Sequence, residues 1–147
     1  MLGAAGGCGE ASRTRVRGAW GQFKEFAALL TRRGVPLRQK SRVYRSCVQS
    51  VMVYASETWA VRVEEEQRME RNENIMLRWM CGVTLRDKVS MVELRRRLGI
   101  KGVVKVMRRR RLRWFGHVER KEVDDWMSAW RNLEMAGSRG KGRPRMT

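Results

Sequence analysis

Aspartate is nearly missing from this sequence: Asp87, Asp124 and Asp125 are the only three in 147 residues. Two-metal phosphoryl transfer needs acidic side chains that converge on a metal pair, so polymerase chemistry is not expected. Asp124-Asp125 is an adjacent pair, but Lys121 and Glu122 precede it where a polymerase hairpin needs an apolar strand. Acids in the first turn of a helix are explained by the helix dipole alone. His117 is the only histidine, with Glu119 near it but no serine or cysteine placed as a nucleophile. A structural or nucleic-acid-contacting role is expected for it rather than catalysis. Cys8, Cys47 and Cys81 are odd in number and far apart, as befits free thiols in a reducing compartment. Structural zinc sites bring ligands in closely spaced pairs, and none exists here; no metal and no cofactor are expected. No apolar run approaches the ~20 residues that span a bilayer. The first nine residues lack the basic flank and apolar centre of a signal peptide. An intracellular protein, nuclear or cytoplasmic, with no membrane partner is the expectation.

What is present in excess is positive charge. Lysine and arginine outnumber acids 33 to 15, a formal net charge of +18. Self-repulsion on that scale strains a compact state, and a polyanion relieves it. Nucleic acid is the commonest polyanion in a cell, so RNA or DNA is the expected partner. Apolar residues make up 42%, too many for a chain disordered throughout.

The apolar pattern is helical. Val16, Trp20, Phe23, Ala27 and Leu30 draw one stripe over residues 11–31. Gly34 ends that helix, and Pro36 fits the first turn of the next, over 36–54. There a strand over 51–54 competes with the helical stripe of Tyr44, Cys47, Val48 and Val51, which the spacing favours. A third helix over 64–81 opens on three glutamates, places Ile75, Met76, Trp79 and Met80 at its buried end and stops at Gly82. Ser90 and Glu93 form a capping box for a short fourth helix ending at Leu98, with Gly99 beyond. A fifth, over 103–118, puts Val104, Met107, Leu112, Phe115 and Val118 on its apolar side; a sixth covers 124–135. The fold class expected is mainly α: a helical bundle of five to six helices over residues 11–135. Residues 1–10 are expected to be a flexible start, and 136–147 a disordered basic tail.

The densest candidate site is the block Arg108-Arg109-Arg110-Arg111-Leu112-Arg113, followed by Trp114, Phe115 and His117. Consecutive helical residues point in all directions, so only some, such as Arg109, Arg113 and Arg110, can share a flank. Guanidinium groups grip phosphate oxygens in pairs. Trp114 has two readings, a base-stacking platform or, with Phe115, a part of the core; the second is favoured. In the tail, Lys141, Arg143 and Arg145 surround Pro144 as in short arms that enter a minor groove, though a merely flexible charged end fits as well.

Four ordered motifs resemble non-LTR, LINE-type retrotransposon reverse transcriptases, in the region beyond the polymerase palm. They are Val43-Tyr44-Arg45-Ser46-Cys47-Val48 running on to Tyr54-Ala55-Ser56-Glu57-Thr58-Trp59; Met76-Leu77-Arg78-Trp79-Met80-Cys81-Gly82-Val83; Arg111-Leu112-Arg113-Trp114-Phe115-Gly116-His117-Val118; and Gly142-Arg143-Pro144-Arg145-Met146-Thr147. Residues 11–34 are similar to the family's stretch just downstream of its Tyr-Leu-Gly segment, so the resemblance spans nearly the whole chain. It implies a thumb and connection region packing near a template–primer duplex, without the catalytic aspartates. It also implies that Met1 is an internal methionine and Thr147 a premature end. Ala55 departs from the family pattern, which has glycine there, and a strained turn is the expected consequence. A helical protein-interaction module, or a fragment with no independent fold or function, is the alternative.

Overall fold

The computed structural model describes residues 7–120, with side chains from Gly9 onward. The expected sixth helix, Asp124, Asp125 and the tail residues Lys141, Arg143 and Arg145 lie outside them, as does the side chain of Cys8. The chain divides into two units, Met1–Arg113 and Trp114–Thr147. Among the described residues the first is wholly helical and turn, with no strand.

Helix α1 (Gly7–Glu25) begins inside the stretch expected to be flexible, helped by Glu10 in its first turn. Ser12 Oγ also donates to the Gly9 carbonyl at 3.0 Å. Val16, Ala19 and Phe23 face the core. The single helix expected over 11–31 breaks at Phe26, whose backbone leaves the helical range (ψ 8°), and a one-turn α2 (Ala27–Leu30) follows with Leu30 fully buried. Pro36 precedes α3 (Leu37–Val43) as its N-cap, with an extended ψ of 138°, rather than sitting in its first turn. The missing proline N–H is harmless there, because helix-start donors have no partner inside the helix. The helix then widens into a π turn, Tyr44–Gln49, and closes as α4 (Ser50–Met52). The strand alternative over 51–54 is overturned: Val53 N–H bonds back to the Gln49 carbonyl at 3.1 Å. Gly18 lets α1 approach this rod closely, since a Cβ there would stand 3.0 Å from Val51 Cγ1.

α5 (Val63–Cys81) starts on its acidic turn, with Glu65 Oε2 accepting from the Arg62 N–H at 3.1 Å, and ends on left-handed Gly82 (φ 64°). Its buried stripe is Met69, Glu73, Met76, Leu77 and Met80. Ile75 and Trp79, expected at the buried end, are instead exposed, Trp79 to 56%. The stripe runs through the polar Glu73, so apolar residues alone misplace its axis. α6 (Met91–Leu98) has Ser90 accepting from the Glu93 N–H at 3.2 Å and Gly99 left-handed beyond it. The other half of the capping box is not formed, because the Glu93 carboxylate bonds Arg96 and Arg97 at 2.8 Å.

α7 (Val103–Glu119) departs most from its expected face. Val103 and Met107 are buried, but Leu112 is 71% exposed. Arg110 and Arg111 occupy the inward positions there and meet backbone carbonyls rather than apolar side chains. In the second unit Phe115 is 57% exposed and Trp114 is also exposed, so neither is the core residue expected. The core of the first unit gathers Phe23, Leu30, Tyr44, Val48, Met52, Met69, Met76, Leu77 and Met80 between α1, the α3–α4 rod and α5, with Ile100, Val103 and Met107 closing it. Cys47 and Cys81 are free thiols.

Candidate nucleic-acid interface

The groove that concentrates charge is built on a buried carboxylate. Glu73 is fully shielded from solvent, yet three donors converge on it: Gln49 Nε2 at 3.0 Å, an Arg95 terminal nitrogen at 3.2 Å and the Val103 N–H at 2.9 Å. Val103 is the first residue of α7, so a negative charge sits where the helix dipole favours one. Gln49 donates again to the Lys101 carbonyl at 2.8 Å. Two side chains thus tie the α3–α4 rod, α5 and the start of α7 to one another. Burial raises the Glu73 carboxyl above its ordinary value, and the Val103 N–H, Arg95 and Gln49 hold it back. Burial, and then Glu73, push the Tyr44 phenol well above 10.0. Its hydroxyl faces Glu73 but completes no hydrogen bond. Arg95 is also held by Glu70 at 3.4 Å and Asn74 Oδ1 at 2.9 Å, so the buried charge is paired.

This clamp sets the π turn of the rod beside α7, and an open groove of about 1190 Å³ lies between them. Arg42 and Arg45 line one wall; Lys101, Lys105, Arg108, Arg109, Arg110 and Arg113 line the other. Ser46, Gln49, Gly99, Val106 and Leu112 complete it, and among the described residues no carboxylate contributes. A smaller recess of about 430 Å³ shares Arg42, Arg45 and Gly99 and adds Arg38, Arg96 and Arg97. Arg96 and Arg97 share the single Glu93 carboxylate, which they hold down to about 2.

The expected arginine block divides as helical geometry requires. Arg109 and Arg113 come together in the groove with no protein partner among the described residues. Arg108 reaches the groove but pairs with Glu66 at 2.7 Å. Arg110 donates to the Val53 carbonyl at 3.4 Å. Arg111 turns away from the groove: Nε donates to the Ser56 carbonyl at 2.8 Å, and a terminal nitrogen to the Trp59 carbonyl. It fastens the turn over 53–59, in which Ala55 holds a left-handed φ of 53°. His117 is exposed near the end of α7, in the second unit.

Arg42, Arg45, Lys101 and Lys105 were not among the residues singled out from sequence. A signal for α7 was present, since 101, 105, 109 and 113 recur at steps of four. Nothing local marks Arg42 and Arg45 as its opposite wall. Among the described residues no three His, Cys, Asp or Glu side chains gather as a metal site, and no helix is long and apolar enough to cross a membrane. Compared with known proteins, the sequence matches no family model, no curated protein and no solved structure.

Proposed function

We propose that this chain is a non-catalytic, thumb-like fragment of a LINE-type retrotransposon reverse transcriptase that holds nucleic acid by its phosphate backbone. The groove between the π turn and α7 carries the reading: among the described residues, eight basic side chains and no carboxylate line it. Setting aside Arg108 and Arg110, which have protein partners, leaves six cations without a partner among the described residues. A cleft lined by one sign of charge focuses its field and draws a polyanion in. The four sequence motifs supply the retroelement part of the proposal. The left-handed Ala55, at the position where those enzymes have glycine, is what that resemblance expects. The scarcity of aspartates and the lack of a nucleophile dyad support a binding role rather than catalysis.

The test is the salt dependence of binding to a short RNA–DNA duplex. Six phosphate contacts give a slope of about −5 in log K against log salt, a loss of about 10³ between roughly 50 and 200 mM. Replacing Lys105, Arg109 and Arg113 with glutamine is expected to reduce that slope by about 3. Removing the exposed Arg32 and Arg33 instead, outside the groove, is expected to leave it nearly unchanged. Equal slopes in both variants would mean that the charge acts diffusely and the groove is not the site. A second reading, a protein-interaction module, is favoured by the exposure of Leu85 and Val92. It predicts self-association in sedimentation and no salt slope of this size.

A further inference from the structure

Trp79 is an indole mounted on the surface rather than packed in the core. It lies edge-to-face with the Trp20 ring, with centroids 5.7 Å apart and planes at 71°, and tilted against the Phe23 ring at 6.1 Å. Trp20 is itself fixed, donating from Nε1 to Asn72 Oδ1 at 2.9 Å and lying edge-on to Phe23 at 5.7 Å. Trp79 is thus held by two anchored rings while more than half of it faces solvent. Its own helix and α1 carry basic residues, with Glu10 one step before them on α1. On α1, residues 13, 17, 20 and 24 follow one another at steps of three and four, which aligns Arg13, Arg17 and Lys24 with Trp20. On α5, Arg71 precedes Ile75 and Trp79 at steps of four. All four cations are exposed, and none makes an ion pair or side-chain hydrogen bond among the described residues.

We infer that this α1–α5 face is a second nucleic-acid surface, one that stacks an unpaired base on Trp79 while Arg13, Arg17, Lys24 and Arg71 hold the flanking phosphates. Rigid aromatic faces within a basic field accept any base, because every base has a π face. An apolar protein partner covering the same patch would have to bury four cations without counter-charges, which is costly. The surface shares no residue with the groove. It rests on the reading above only in taking nucleic acid as the polyanion.

The experiment compares the full chain's affinity for an oligothymidylate of about twelve nucleotides with that for an abasic strand of equal length, carrying the same phosphates. The wild type is expected to favour the strand with bases by about tenfold. Trp79→Ala should bring the two affinities together by weakening only the strand with bases, and Trp79→Phe should keep most of the preference. The Lys105, Arg109 and Arg113 variant should leave the ratio as it is. A ratio unchanged in Trp79→Ala, or no ratio in the wild type, overturns the inference. So does self-association of the wild type that Trp79→Ala abolishes, since the patch then belongs to a second copy. A normal ratio together with a groove variant whose duplex salt slope is unaltered overturns the groove and leaves this surface standing.

Discussion

Glu73 and Glu93 are both glutamates held by arginine, yet their surroundings drive them in opposite directions. Burial raises Glu73 above the ordinary 4.5, against the pull of Val103, Arg95 and Gln49. The folded protein therefore binds that proton more tightly than the unfolded chain does. Its contribution to stability is greatest below 4.5 and declines as pH climbs through the raised value. Glu93 lies open to water between Arg96 and Arg97, which lower it to about 2. Its contribution is complete above 4.5 and is lost as pH falls towards 2. A carboxyl-carbon NMR titration should place Glu73 above 4.5 and Glu93 near 2. Glu73→Gln keeps an acceptor for the Val103 N–H and should abolish the decline in melting temperature above pH 4.5. Two midpoints near 4.5 would mean that neither environment is as described.

At the scale of elements, the turn over 53–59 joins the end of the rod to α5 and is fastened from outside by Arg111. A left-handed conformation costs an L-residue about 1–2 kcal/mol, part of which returns when glycine's greater unfolded-state freedom is counted. Ala55→Gly is therefore expected to stabilise the protein by about 0.5–1 kcal/mol, measured by urea unfolding. A loss of stability would place the strain elsewhere. The departure from a glycine pattern made this turn legible in the sequence. So were most helix limits, because Gly82, Gly99 and Ser90 act on their own neighbours. The failures share a cause in tertiary context. Glu73 sits in the middle of the α5 stripe and is satisfied from three other segments, so an apolar count shifts the buried face towards Ile75 and Trp79. On α7, Arg110 and Arg111 point inward because carbonyls from a distant turn await them, which no local pattern records.

For the whole molecule, charge was legible in composition, but its focus was not. Six cations with no partner among the described residues converge only because Gln49 and Glu73 fix α7 beside the rod, and those bonds join residues 24 to 52 positions apart. The same excess has two consequences of opposite sign. In the free chain, 33 basic residues face 15 acidic ones. Screening their repulsion outweighs weakening the few exposed ion pairs, which water already screens. Sodium chloride raised from about 0.05 to 0.5 M should therefore increase the melting temperature of the free protein by several degrees, as the Debye length shrinks below 10 Å. The complex with a duplex should show the reverse, because salt competes for the phosphates. Melting curves with and without duplex should thus converge as salt rises. If salt instead lowered the melting temperature of the free chain, attraction within the fold would dominate, and the groove would hold no repulsion for a polyanion to relieve.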